Sequence, residues 1–244
     1  MNLLYLLNNK THITVFTIFN KFMARIICVG NQKGGIGKSS TTVWLAGAFS
    51  VDLHQRVLVL DFDSQQSIIK HRQLDIDTGN TEFPYEIIAS SPDKIKELIE
   101  EHYDNYDVIF LDMPRMTGND QLTIQVLMNC DSVLVPFIAS QYDTVSTAEF
   151  IEVVSKIGEV RTKRGFPFFV FGFINRRTRT AENDYIPQFA EEIGVKIFES
   201  YLADRVIFRR QTTYQSIMES KDGHDAFSSF LTEFIEKFEI EITE

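Results

Sequence analysis

Short apolar runs alternate with helical patterns along this chain from Ala24 to about Phe198. Arg25-Ile26-Ile27-Cys28-Val29 reads as a buried strand, and the segment from Ser40 to Ala48 reads as a helix. Further strand-like runs are Arg56-Val57-Leu58-Val59-Leu60, Tyr85-Glu86-Ile87-Ile88, Val108-Ile109-Phe110-Leu111, Asp131–Pro136 and Phe168–Ile174, with Val195–Phe198 a weaker last one. These runs are continuously apolar, not alternating, and helices separate them. That combination predicts parallel strands covered on both faces: an α/β fold with a single doubly wound, mostly parallel sheet flanked by helices. Ser91 followed by Pro92 predicts a helix start, with Ser91 as cap and Pro92 as first position. Near the C-terminus, Phe230–Glu239 carries an apolar stripe and an acidic face and reads as a packing helix. No internal repeat, low-complexity tract or long linker interrupts the pattern.

Such a fold binds ligands beyond the carboxyl ends of its strands. Just past the first strand lies Lys33-Gly34-Gly35-Ile36-Gly37-Lys38-Ser39, running into Ser40. A glycine-rich turn between strand and helix lets backbone N–H groups approach phosphates, and the helix N-terminus adds positive potential. Lys38 is placed to reach the β/γ-phosphates and the Ser39 hydroxyl to hold Mg²⁺. The usual motif opens with a glycine five residues before the Gly-Lys pair; here that position is Gln32. A second lysine, Lys33, stands at the loop entrance. One lysine neutralises the nucleotide in its own site, so Lys33 is read as touching nucleotide across a dimer interface.

Other strand ends carry Asp61 and Asp63, Asp112 and Asn175. A lone strand-end Asp is commonly a cap or turn residue, but three beside a phosphate loop point to metal and phosphate chemistry. Phosphoryl transfer needs positioning and charge neutralisation. Asp112 has the setting of a Walker B aspartate that holds Mg²⁺ through water. Asp61 and Asp63 share one side of an extended segment. Asp63 is assigned to orienting the attacking water and Asp61 to the hydrated surroundings of Mg²⁺, with the order of the two roles open.

The matching parts, Lys33–Thr42, Val57–Gln65 and Tyr106–Pro114, resemble in sequence and order the ParA/Soj partition ATPases of the MinD-like, deviant Walker A class of P-loop NTPases (SIMIBI type). The resemblance runs from about residue 24 into the 220s and weakens after Val135. It implies a slow ATPase, stimulated by a cargo-bound ParB-like or equivalent partner protein, with ATP and Mg²⁺ as cofactors. It also implies an ATP-dependent homodimer in which Lys33 contacts the partner's nucleotide and which binds duplex DNA without sequence preference, partitioning plasmid, chromosome or mobile-element DNA. Lys33, Gly34, Gly35, Ile36, Gly37, Lys38, Ser39 and Ser40 would hold ATP. Asn175 matches the adenine-contacting position, and Asp204 is a second candidate for that pocket. The chain departs from the family at Met113-Pro114-Arg115, where two prolines are frequent, and at Ser64-Gln65-Gln66, where Pro-Gln-Gly is frequent. It has no helix-turn-helix before the nucleotide domain, as in the short ParA form.

Charge and composition narrow the alternatives. The chain has 244 residues, 44% hydrophobic and 24% charged, with a formal net charge of −10. That charge argues against a surface that coats nucleic acid generally and leaves room for a local basic patch. Arg161, Lys163, Arg164, Arg176, Arg177 and Arg179 form one stretch without acidic residues, and Arg205, Arg209 and Arg210 form another. Arg176, Arg177, Arg205, Arg209 and Arg210 are the DNA-contacting candidates, since arginines hold phosphates bidentately. A solvated surface paired with glutamates is the competing reading. Cys28 and Cys130 lie in apolar contexts without a CxxC pair, which fits a reduced cytoplasmic protein, nucleoid-associated when ATP-bound, and disfavours a metallocluster carrier. No run is long enough for a membrane span. The acidic C-terminal face disfavours a MinD-like membrane-positioning ATPase, so no membrane partner is expected. A conjugal-transfer accessory ATPase or a nucleotide-sensing module with little turnover is the remaining alternative. Residues 1–22 read as an N-terminal extension, with Met23 as the natural start of the ATPase domain at 23–244.

Overall fold

The computed structural model describes residues 24–114, 120–139, 144–178, 181–209 and 212–242. The expected extension at 1–22, the start at Met23, and Arg115, Arg179 and Arg210 lie outside the described residues.

Seven strands form one sheet: β1 (Arg25–Val29), β2 (Val57–Asp61), β3 (Glu86–Ala89), β4 (Val108–Asp112), β5 (Ser132–Phe137), β6 (Phe169–Arg177) and β7 (Lys196–Ala203). Their spatial order is β3-β2-β4-β1-β5-β6-β7, and every pair is parallel. The helices are α1 (Lys38–Gly47), α2 (Ser67–Asp77), α3 (Ile95–His102), α4 (Gln121–Met128), α5 (Thr144–Lys163), α6 (Ala181–Glu192) and α7 (Lys221–Lys237). Every residue of the inner strands β2, β4 and β5 is buried, whereas the edge strands β3 and β7 are partly exposed. This is why the inner strands read as unbroken apolar runs: a central parallel strand has no solvent face.

Alternate residues feed two cores. Ile26, Cys28, Leu58, Leu60, Ile109 and Leu111 pack on one face with Ile95, Val126, Phe150 and Ile186 from α3 to α6. Ile27, Val57, Val59 and Phe110 pack on the other with α1, α2 and α7. The C-terminal packing helix is α7, which starts earlier than the apolar stripe, at a Ser220 cap whose side chain accepts the Gly223 N–H at 3.0 Å. Phe227, Phe230, Phe234 and Phe238 recur at helical spacing, all but inaccessible to solvent. Phe234 meets Phe238 at 4.8 Å and Phe230 meets Phe173 at 4.9 Å, within the range of favourable aromatic pairs.

Two local expectations change. At Ser91-Pro92 the chain forms a 3₁₀ turn, Pro92–Lys94, before α3 begins at Ile95, and the Ser91 hydroxyl bonds Asp93 instead of capping a backbone N–H. The last strand, β7, is longer than Val195–Phe198 suggests. Its polar Glu199 and Ser200 stay in the strand because the Glu233 carboxylate of α7 accepts both backbone N–H groups at 2.8 Å.

The register places the site. Val29 of β1 and Asp61 of β2 both lie opposite Asp112 of β4, so the phosphate loop and both strand-end aspartates share one sheet edge. Asp63 follows two residues beyond β2 on that edge. This edge, where β1 sits between β4 and β5, is the crevice that doubly wound sheets use for ligands.

Candidate nucleotide site

The loop from Asn31 to Ser39 is held by its neighbours. Gly37 caps α1 with φ +95°, and a Cβ there would stand 2.2 Å from Asn175 Nδ2. Only glycine fits both the left-handed backbone and that approach. Asn175 is buried at the end of β6 and donates through Nδ2 to the Ile36 carbonyl at 2.7 Å. Lys38 is 7% exposed, and its Nζ donates to the Lys33 carbonyl at 2.8 Å. The loop thus folds around its own lysine, with the ammonium at the place where phosphate oxygens would compete for it. Lys33 is half-buried, and burial lowers its pKa.

Asp112 is fully buried; among the described residues no backbone N–H reaches either carboxylate oxygen, and the Ser39 hydroxyl is the one donor that acts on it. Burial pushes its pKa up to about 7; the neighbouring Asp61 and Asp63 charges add to the rise, while Ser39 and Lys38 oppose it. A buried carboxylate with so few donors calls for a cation. Among the described residues no three His, Cys, Asp or Glu side chains gather into a metal-binding group. The arrangement fits Mg²⁺, which takes one or two protein ligands, waters and nucleotide phosphates instead of a protein cage.

Asp61 and Asp63 have different settings. Asp61 is buried; its Oδ1 accepts from the Asp63 N–H at 3.1 Å, and its Oδ2 from the N–H groups of Ile68 and Ile69 at 3.2 and 3.4 Å. Burial raises its pKa against these three backbone donors. Oδ2 therefore binds the first turn of α2 and Oδ1 the Asp63 backbone, and any water held on Mg²⁺ would share the carboxylate with them. Asp63 is more exposed, and its Oδ1 accepts the Gln65 N–H at 2.8 Å. The next turn ends at Gln66, which is left-handed with φ +49°. A non-glycine residue there costs about 1–2 kcal/mol. The Gln66→Gly variant is therefore expected to be more stable by about 0.5–1 kcal/mol, read as a raised midpoint in urea unfolding.

The arginines divide. Arg161 is buried, donates to Asp131 at 3.0 Å and to the Met128 carbonyl at 2.6 Å, and so belongs to the fold. Lys163 and Arg164 follow it at the amino edge of the sheet, since Phe169 opens β6 just beyond. Arg176 and Arg177 end β6, and Arg205 and Arg209 follow β7, all four near the carboxyl edge. Arg176 is exposed at φ +54°, beside a register irregularity of β6. Arg177 lies 4.3 Å above the Tyr201 ring and 3.7 Å from Asp184. Asp204, expected near adenine, is exposed and accepts from Arg209 at 2.9 and 3.1 Å.

Sequence reasoning missed Asn31, whose amide touches the loop, β5 and α5 at once. Its position directly before Gln32 was the only available signal.

This parallel sheet with a glycine loop after its first strand has the P-loop NTPase fold. An AAA domain family model matches residues 24–102. The chain is 26% identical over 156 residues to the chromosome partitioning protein ParA of Myxococcus xanthus, covering 49% of this chain and 54% of that protein. It is 25% identical over 207 residues to a ParA protein of Rhizobium radiobacter, covering 82% and 89%. It is also 22% identical to the maintenance of carboxysome distribution protein A of Halothiobacillus neapolitanus, covering 86% and 95%. Among solved structures, the septum site-determining protein MinD of Pyrococcus horikoshii with Mg-ADP superposes with a TM-score of 0.64 at 18% identity, covering 87% and 96%. The chain is thus similar to ParA proteins over these spans and shares the P-loop fold of the solved structure. It spans about half the length of the Myxococcus relative.

Proposed function

We propose that the chain is an ATP- and Mg²⁺-dependent ATPase of the partition type that dimerises around bound nucleotide, binds duplex DNA without sequence preference, and answers to a cargo-bound ParB-like partner. The observation that carries this reading is the buried Asp112 carboxylate, without backbone donors, beside the phosphate loop with its two lysines. Gly34, Gly35, Ile36, Gly37, Lys38, Ser39 and Ser40 would cradle the phosphates. Ser39 and Asp112 would hold Mg²⁺, which neutralises phosphate charge when bound. Asp63 would orient the attacking water, and Asp61 would hold α2 and Asp63 in place.

Lys33 supplies the test of dimerisation. Lys33 stands half-buried at the loop entrance, where a second molecule facing the loop would meet it. The Lys33→Ala variant is expected to keep monomer ATP affinity within about threefold and to lose ATP-driven dimerisation by about tenfold or more, since a charge-assisted bond to phosphate contributes about 1.5–3 kcal/mol. Equilibrium sedimentation with a non-hydrolysable ATP analogue measures it. Normal dimerisation of the variant would remove the cross-subunit role.

DNA binding is assigned to the carboxyl-edge arginines. Arg209 is paired with Asp204, so phosphate must compete with that carboxylate. Arg209→Glu together with Arg205→Glu is expected to abolish ATP-dependent retention on duplex DNA, and wild-type affinity is expected to fall steeply between about 50 and 200 mM salt. Retention unchanged in the double variant would place the interface elsewhere. Among the described residues no helix is long and apolar enough to cross a membrane.

A further inference from the structure

Lys33 is gripped through its backbone on both sides. On its N-terminal side, its N–H donates to Asn31 Oδ1 at 3.2 Å. On its C-terminal side, its carbonyl accepts from Lys38 Nζ at 2.8 Å. Asn31 is 3% exposed, and its Nδ2 donates to the Pro136 carbonyl of β5 at 3.1 Å. A carbonyl can only accept, so this contact fixes the amide with nitrogen toward β5 and oxygen toward Lys33. Thr147 of α5, 4% exposed, places its hydroxyl 3.4 Å from both amide atoms of Asn31. One residue further along the loop, Gln32 Nε2 reaches Glu149 Oε2 of the same helix at 3.4 Å. The entrance to the phosphate loop is therefore moored to β5 and to α5, elements more than 100 residues away in sequence.

The two grips respond differently to nucleotide. Lys38 holds a neutral carbonyl, and a polyphosphate is a far stronger acceptor for its ammonium. Phosphate entering the loop would compete for Lys38 and weaken its hold on the Lys33 carbonyl. The Asn31 bond faces the protein interior, away from that competition. We infer that Asn31, seated by Thr147, is a positioning residue that sets the Lys33 backbone once nucleotide has displaced Lys38, and so aims the Lys33 ammonium at a second copy of the chain. This inference rests on the proposed cross-subunit role of Lys33.

The experiment is a double-mutant cycle on dimerisation, with monomer affinity and stability measured beside it. Thr147→Val keeps the shape of the side chain and removes the hydroxyl; Asn31→Ala removes the amide. Both are measured by ATP-analogue affinity at dilutions that keep the chain monomeric, by the dimer dissociation constant with the same analogue, and by thermal midpoint. Asn31→Ala is expected to weaken dimerisation about tenfold while monomer affinity changes by less than about threefold. Thr147→Val is expected to shift dimerisation in the same sense by a smaller factor, and Thr147→Ser to restore it. Combined with Lys33→Ala, either variant is expected to add nothing further, because both act through the same lysine. Effects that multiply with Lys33→Ala would overturn the inference, as would parallel losses of affinity, dimerisation and thermal midpoint. If Lys33→Ala alone dimerises normally while Asn31→Ala does not, the cross-subunit reading fails separately and the inference fails with it.

Discussion

The Lys38→Ala variant is expected to bind ATP about 100-fold more weakly or worse while remaining folded. The size follows from the chemistry of the contact. A buried ammonium bridging two phosphates makes charge-assisted bonds about twice as strong as neutral ones, and removing it leaves the phosphate charge unmatched in a water-poor loop. The backbone N–H groups of Gly34 to Ser39 and the N-terminus of α1 remain, so binding is weakened instead of erased. Folding should change little, because two effects oppose each other. The variant loses the hydrogen bond from Nζ to the Lys33 carbonyl and also loses a cation that is only 7% exposed. Calorimetric titration with ATP and Mg²⁺ tests the affinity, and urea unfolding tests the fold. An affinity within about threefold of the parent would mean that the loop binds phosphate through its backbone alone. Lys38→Arg is not expected to rescue binding, because the planar guanidinium is larger and presents its donors in a fixed fork.

The contrast between what the residues announced and what they concealed has a physical basis. The loop, Asp61, Asp63 and Asp112 are legible because each is local: a glycine run or an acid placed where an apolar run stops. Buried parallel strands make that punctuation sharp, since their interiors admit no polar residue to blur it. Contacts between distant segments carry no such signature. Asn175 marks a strand end, but nothing near it in sequence says that its amide presses on the Ile36 carbonyl and forces glycine at position 37. Asn31 reads as a loop residue until β5 and α5 are folded against it. Arg161 joins a basic stretch by sequence, yet it belongs to α5, and its partner Asp131 stands across the core at the start of β5. Topology then divides the stretch between opposite edges of the sheet. Gln66 shows the converse case. Its left-handed φ of +49° keeps the turn after Asp63 where glycine is frequent in the resembling family, so the backbone of that turn is retained at a cost in strain.

Asp112→Asn should stabilise the nucleotide-free chain at pH 8 while removing the response to Mg²⁺. In the folded chain the Asp112 carboxyl titrates at about 7, against 3.8 for an ordinary aspartate, because burial penalises its charge. Between those values the folded state holds a proton that the unfolded state has released. Stability from this group is therefore complete below about pH 4, and it is lost as the pH rises through 7 and the charged form is forced into a buried site with too few donors. The full shift corresponds to a few kcal/mol, so the asparagine variant should exceed the parent at pH 8 by on the order of 2 kcal/mol. The gap should narrow toward pH 5 and close below about pH 4, where the unfolded chain is protonated as well. Nucleotide with Mg²⁺ should reverse the ranking at pH 8, because a cation compensates the parent's charge and has nothing to compensate in the variant. Below pH 7 the parent must release a proton to accept the ion, so its Mg²⁺ affinity should fall about tenfold per pH unit. Urea unfolding at pH 5 and pH 8, with and without MgATP, separates these effects. An asparagine variant less stable than the parent at pH 8 without nucleotide would show that the Asp112 charge is satisfied within the protein, and the case for an ion at that carboxylate would fall with it.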